Sequence, residues 1–426
     1  MKTKFNKTQN AWAMYDWANS VYSLVIGTVL LPIYYEAVTS DAGLDRMHFL
    51  GFEFANTELY SYTISFSFLI IALLSPYLAS LADFSGKKKT FMKVFMWIGS
   101  SACLTLFFFD GETVWLGLTA ALFASIGFTG SLVFYNAFLP EIAVPEQQDR
   151  LSARGFALGY FGSSLLLILN LLLVQKPEWF GLEHAGIATR ISFLMVGLWW
   201  MGFSQYTFKH LPHRERTAGE RPKNMVAVGY KKLHNVWKEF MTMPRLKRFL
   251  FAFFWYSTGV QTVILLAALF GKKVLDLQTD QLIVSILIIQ FVGIAGAILF
   301  SRLSGKIGNI KALGIAVFLW IIVCYGAYIV DSANQFYFVG AFVGLVMGGI
   351  QSLSRSTYSK LMPETKDTAS FFSFYDVCEK LAIVTGTFIF GLLETFTGSM
   401  RLSVMPLMLF FVLAFVFFWP IRKENF

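Results

Sequence analysis

Charge is scarce in this chain. Charged residues make up 14%, where a soluble domain carries about 25%. That deficit excludes a disordered chain and an ordinary soluble fold. Cysteine is scarce too. Cys103, Cys324 and Cys378 lie inside apolar segments with no pair spacing, which excludes a disulfide framework and a thiolate metal site. Enzyme signatures are missing as well. No P-loop, no zinc-type His/Cys spacing and no G-x-S-x-G occurs, and the five histidines fall between the apolar segments. The expectation is a non-enzyme with no cofactor and no metal.

What is present is apolar sequence in long runs. Hydrophobic residues reach 56% and aromatics 17%. The runs are about 20 residues long, enough for a helix to cross a bilayer. Twelve helical segments are expected over 11–36, 59–82, 90–109, 113–139, 153–174, 188–208, 248–271, 281–301, 311–330, 335–356, 369–395 and 402–420. A β-barrel would instead need strict alternation over roughly 10-residue stretches.

The net charge of +9 admits two explanations, an acidic partner such as nucleic acid or basic loops on one membrane face. The second is favoured, because Lys and Arg fall on alternate loops, so no nucleic-acid partner is expected. Lys2, Lys4 and Lys7, Lys87–Lys89, the 209–247 stretch, Arg302, Lys306, Lys311, Arg422 and Lys423 share one side. Both termini are therefore expected in the cytoplasm. The linker 209–247 carries His210, Pro212, His213, Arg214, Arg216, Arg221, Pro222 and Lys223, then an amphipathic piece at 226–241. That piece is expected to lie on the membrane surface. Its basic residues suit either contact with anionic lipid or a plain tether between halves, and the tether is preferred.

Two stretches answer each other across the midpoint. Tyr135…Pro140-Glu141 and Tyr358…Pro363-Glu364 share a spacing, 223 positions apart. Ala79–Lys89 and Ser301–Lys311 match at an offset of 222, with Gly86 opposite Gly308. Two matches in nearly one register indicate a duplicated membrane protein, an arrangement by which transporters build a central site.

An ionisable side chain inside an apolar helix costs about 2.5–3.5 kcal/mol on insertion scales, so it is expected to face a cavity or a partner. Few exist here. In the first helix Asp16, Asn19, Ser20 and Ser23 form one stripe, flanked by Tyr15 and Tyr22. Asp376 and Lys380 can pair at i,i+4, leaving Glu379 less compensated. Gln351 and Arg355 share a helix face, and Tyr256, Thr258, Gln261 and Thr262 cluster on another helix. Of these, Asp16, Asn19, Tyr22, Gln261, Gln351, Arg355, Asp376, Glu379 and Lys380, with Tyr160, are the substrate or coupling candidates. They fit a polar solute path with a titratable carboxylate, or inter-helix ion pairs acting only as gates. Asn170 and Gln290 are expected to hydrogen-bond between helices. Asp83, Gly86, Lys87 and Lys88 form a short basic loop in which Gly86 permits a tight turn.

That loop, with twelve helices in two halves, resembles the major facilitator superfamily. The superfamily's second-to-third helix loop reads roughly G-x3-D-R-x-G-R-R/K. Here Asp83, Gly86, Lys87 and Lys88 match, while Ala79 and Phe84 depart, and in the second half Gly305 replaces the Asp. A narrower resemblance is to the vacuolar amino-acid effluxer-like branch known from fungal autophagy. It rests on Tyr15-Asp-Trp-Ala-Asn-Ser20, Asn136-Ala-Phe-Leu-Pro-Glu141, Gly155-Phe-Ala-Leu-Gly-Tyr160, Gln351-Ser-Leu-Ser-Arg-Ser356 and Phe371-Phe-Ser-Phe-Tyr-Asp376. One departure is Tyr256-Ser-Thr-Gly-Val260, where the branch often has an Asp at the third position.

The resemblance implies an all-α integral membrane protein with twelve transmembrane helices in two pseudo-symmetric six-helix bundles, 1–208 and 248–426. It implies a bacterial member, monomeric and in the inner membrane, that moves a small polar solute such as an amino acid by alternating access, with protons as a coupling ion. The site is expected between helices 1, 4, 5, 7, 8, 10 and 11. Asp16 and Asn19 would bind a polar or cationic part of the solute, Arg355 and Lys380 an anionic part or a gate. The rivals are proton-driven drug or metabolite export, a lipid flippase and a non-transporting sensor.

Overall fold

The computed structural model describes residues 4–49, 51–213 and 225–422. Lys2, Arg214, Arg216, Arg221, Pro222, Lys223 and Lys423, named above, lie outside them. The described chain is helical apart from one hairpin. In order come α1 (Lys7–Val21), a π-helical stretch (Tyr22–Leu30), α2 (Leu31–Asp41), β1 (Arg46–Phe49), β2 (Phe52–Ala55), α3 (Asn56–Ser85), α4 (Lys88–Thr105), α5 (Val114–Ala137), α6 (Leu139–Ile142), α7 (Pro145–Gln175) and α8 (Ala185–His210). Then follow α9 (Met225–Met241), α10 (Pro244–Leu275), α11 (Thr279–Ile307), α12 (Asn309–Ile329), α13 (Ala333–Leu361), α14 (Thr368–Thr397), α15 (Met400–Val404) and α16 (Leu407–Arg422).

Among the described residues eleven helical spans are long and apolar enough to cross a bilayer. α14, thirty residues long and carrying Asp376, Glu379 and Lys380, is the twelfth expected helix. Local chemistry sets the ends. Asn6 caps α1 by accepting from the Gln9 amide at 2.8 Å, and the Gln9 side chain accepts from the Asn6 amide at 3.1 Å. Ser332 caps α13 through the Gln335 amide. Pro406 follows α15 and separates it from α16 within the last apolar run.

Three features depart from the expected pattern. The short antiparallel hairpin, with Arg46 opposite Ala55 and Phe49 opposite Phe52, falls where only a connection was expected. The first helix is not uniform. From Tyr22 it widens to the π form, where the Thr28 hydroxyl donates to the Ser23 carbonyl at 2.8 Å. Third, Ser23 is exposed while Asp16 and Asn19 are buried.

The chain forms two compact units. One comprises 1–135 and 161–220, the other 136–160 and 221–426. The segment 136–160 lies in the first half of the sequence but groups with the second unit, through bonds given below.

Within the second unit, α11 and α13 make the closest helix pair. A methyl group on Gly348 would collide with the Gly293 carbonyl, and one on Gly296 with the Leu345 carbonyl. Glycine here lets two backbones touch, as expected where lipid supplies no hydrophobic drive and van der Waals contact holds helices together. In the first unit Gly99 and Gly127 play the same part between α4 and α5. Gly348→Val should lower stability by about 1–3 kcal/mol through overpacking. Gly305→Ala, which meets nothing within 4 Å, should leave it nearly unchanged. Thermal unfolding of both variants in detergent checks this.

Candidate functional site

Each unit contains a buried polar cluster. In the first, α1 positions Asp16 against α5. The Tyr135 hydroxyl donates to Asp16 Oδ2 at 2.8 Å. Tyr135 is itself fixed by Trp12, whose ring stacks on it at 4.5 Å and whose indole donates to the Tyr135 carbonyl at 2.9 Å. One turn on, Asn19 is buried, and its Nδ2 has no hydrogen-bond partner among the described residues. Tyr22 opens the π stretch and packs on Phe128 at 5.1 Å and Trp200 at 5.9 Å. Asp16, Asn19 and Tyr22 are thus all interior to this unit.

The expected loop residues belong to the same unit. Gly86 takes the left-handed conformation (φ +70°) that ends α3, and Gly308 ends α11 with φ +85°. The positive φ at both matched positions is a backbone need that glycine meets without strain. Asp83 and Lys88 form a buried pair at 3.7 Å. Lys88 is therefore an interior charge, whereas Lys87 is exposed. Lys89 donates to the Leu211 carbonyl at 3.0 Å, at the end of α8.

In the second unit, α10 and α14 bring four candidates together. Lys380 Nζ lies 2.8 Å from Asp376 Oδ1 and 3.4 Å from Glu379 Oε2. Gln261 donates to Glu379 Oε1 at 3.2 Å. Two carboxylates thus share one ammonium. Asp376 is only 4% exposed, and its Oδ2 has no partner among the described residues. With both carboxylates ionised the cluster holds one negative charge more than it balances. Beside it Tyr256 and Ser354 hydroxyls lie 2.7 Å apart. This tyrosine begins the Tyr-x-Thr-Gly-Val stretch. Thr258, in place of the acid, turns its hydroxyl back to the Phe254 carbonyl at 2.7 Å and supplies no charge.

A third group ties the segment 136–160 to α13. Arg355 donates through Nε to Ser152 Oγ and through Nη2 to the Ser152 carbonyl, both at 2.9 Å, and its Nη1 is 3.4 Å from Asn136 Oδ1. Its guanidinium also lies 4.3 Å over the Phe156 ring. Tyr160 donates to Gln351 Oε1. The candidates Tyr160, Gln351 and Arg355 are therefore neighbours, engaged with protein groups.

Sequence reasoning missed Asp149. It is buried on α7 and accepts from Lys360 Nζ at 2.7 Å, Asn309 Nδ2 at 2.8 Å and Ser304 Oγ at 2.8 Å. The signal available was its place near the start of α7, where an acid also suits the helix dipole. Two of its partners, Ser304 and Asn309, come from the Ser301–Lys311 repeat. Asn170 and Gln290 answer differently from expectation. Both polar atoms of Asn170, and Gln290 Oε1, have no hydrogen-bond partner among the described residues.

The profile of the family described as "Vacuole effluxer Atg22 like" matches residues 4–425. The chain belongs to this family. An MFS-type transporter of Bacillus subtilis, YxiO, is 30% identical over 100% of this chain and 97% of its own length. Autophagy-related protein 22-1 of Penicillium rubens is 26% identical over 87% of this chain and 76% of its own. Among solved structures, the human organic anion transporter MFSD10 aligns with a TM-score of 0.71 over 97% of this chain and 99% of its own, at 11% identity. The proton:xylose symporter XylE aligns with a TM-score of 0.70 over 97% and 95%, at 12% identity. At that identity the likeness concerns fold, and the fold is that of the major facilitator superfamily. This Atg22-like chain is a multi-pass membrane transporter of a small-molecule solute and not an enzyme.

Asp149 gives this Atg22-like fold its clearest energetic test. Asp149→Asn leaves Lys360 without its counter-charge and should cost about 3–5 kcal/mol. Removing both charges, with Asp149→Asn and Lys360→Met, should restore most of it. Unfolding temperatures of the two variants in one detergent check the pair.

Proposed function

We propose that this chain is a secondary active transporter that exports a small polar solute bearing a cationic amine, an amino acid or a similar molecule, with protons as the coupling ion. It works by alternating access as a monomer in a bacterial inner membrane, with both termini cytoplasmic. The observation that carries this reading is the Gln261–Glu379–Lys380–Asp376 cluster, where two carboxylates share one ammonium and Asp376 Oδ2 lacks a partner. An excess negative charge within an apolar helix is expensive. A cation relieves it, either a proton on one carboxylate or an ammonium group of the solute. Gln261 orients Glu379 toward that role. Asp16, steadied by Tyr135, and Asn19, with its spare amide, are the polar groups the first unit offers the solute. Tyr22 closes that cluster on its apolar side. The family's effluxer description supports export, and the fungal relatives support an amino acid.

Arg355 takes the gating role of the two expected for it, because its donors already bind Ser152 and Asn136. Tyr160 and Gln351 reinforce it. We take 1–208 and 248–426 as the two moving bundles and 209–247 as their link. On that partition the Arg355–Ser152 and Asp149–Lys360 bonds join the two halves of the sequence and must break in each cycle. The buried Asp83–Lys88 pair and the Gly86 turn would steady one of the two states.

Counterflow in proteoliposomes at about pH 5.5 and 7.5 tests the reading. The parent should exchange a labelled amino acid and respond to pH. Glu379→Gln and Asp376→Asn should lower exchange by roughly 100-fold, about 2.7 kcal/mol, while retaining the parent's elution profile. Variants that exchange as fast as the parent would sink the assignment of the cluster. Movement of unrelated hydrophobic cations with no amino-acid exchange would replace the substrate with a drug-like class.

A further inference from the structure

The helix α9 is unlike the others. It is amphipathic and has no place in the span pattern. One face is docked. Val236 and Phe240 are buried, Phe240 lies 5.3 Å from Phe374, and Lys232 pairs with Asp367 at 2.6 Å. The face beside it is solvent-exposed and begins at Trp237, whose ring edge still meets Phe374 at 5.5 Å. At about 100° per residue, Trp237, Tyr230, Met241, His234, Lys238 and Lys231 fall in that order within an arc of about 120°. All six are exposed, Tyr230 at 61% and Trp237 at 46%. Lys231, His234 and Lys238 make no ion pair or side-chain hydrogen bond among the described residues.

The order within the arc matters. The aromatic and thioether groups adjoin the docked apolar face, and the cations lie farther round. This gradation suits the zone between acyl chains and headgroups, where Trp and Tyr concentrate and Lys reaches anionic phosphate. The helix also sits at the right level. Lys247 Nζ, in the first turn of α10, donates to the Met241 carbonyl at 2.6 Å and fastens the end of α9 to α10. α10 has 32 residues, so it extends about 48 Å, well beyond the roughly 30 Å hydrocarbon core. Its first turn therefore reaches the headgroup layer.

We propose that the Tyr230–Trp237–Met241 edge and the Lys231–Lys238 flank of α9 form a docking surface for the anionic phospholipid headgroups of the bilayer. The link between the halves is then pinned to the membrane instead of being a plain tether. Each lysine near such a surface adds to the attraction, and neutral lipid provides none of that term.

The test uses the full chain in nanodiscs of phosphatidylcholine alone or with about 30 mol% phosphatidylglycerol, a content that gives the anionic surface potential the proposal needs. The signal of Trp237 is isolated as the difference between the parent and Trp237→Phe. Neutral acrylamide reports its exposure to water, and brominated phosphatidylglycerol reports its contact with lipid. The expected result is that phosphatidylglycerol shields Trp237 from acrylamide and brings bromine quenching. Both effects should be lost in Lys231→Glu/Lys238→Glu. Those lysines are exposed, so the double variant should keep the parent's unfolding temperature in detergent, which separates lost docking from lost folding. Equal acrylamide exposure in both membranes, or equal shielding in both, overturns the proposal. Shielding that survives the double charge reversal overturns it too.

Discussion

A charge inside an apolar helix must find its counter-charge within the protein, and most of this architecture answers to that constraint. Hydrocarbon cannot solvate a charge, so an orphaned carboxylate or ammonium is costly there. The described interior charges accordingly come in groups. Asp83 has Lys88, Asp149 has Lys360, and Asp376 with Glu379 shares Lys380. Asp16 accepts from the Tyr135 hydroxyl. Arg355 is satisfied by serine oxygens, an asparagine carbonyl and an aromatic face.

These groups differ in how well they close, and the difference separates structure from function. Asp149 accepts from three donors and is closed. Such a node holds helices together. The Asp376 group is not closed. Asp376 Oδ2 has no hydrogen-bond partner among the described residues, and the proposed binding of a cation rests on that opening.

The gross fold was legible in the sequence because bilayer thickness imposes its own period. Apolar runs of about 20 residues between basic clusters leave few alternatives. The isolated charges were legible for the same reason, since an Asp at position 16 or 376 stands out against Leu and Phe. Pairing within a helix was readable too, and Asp376–Lys380 at i,i+4 is an example. Other contacts were not. The Asp149–Lys360 bond joins residues 211 positions apart, and no periodicity encodes such a distance. The π stretch at Tyr22–Leu30 was hidden because nothing in Tyr-Ser-Leu-Val-Ile-Gly-Thr-Val-Leu distinguishes a five-residue bond pattern from a four-residue one.

The two repeat matches illustrate how much a duplicated chain keeps. Gly86 and Gly308 both retain positive φ after a long helix, because a helix-to-helix turn of that shape needs glycine whatever the chemistry around it. The charge has diverged. In the first copy Asp83 pairs locally with Lys88. In the second, Gly305 stands in the acid's place, and the neighbouring Ser304 and Asn309 instead serve Asp149, an acid brought in from α7. The two matched turns thus share a positive φ but differ in the acid beside them, which comes from the loop itself in one and from α7 in the other.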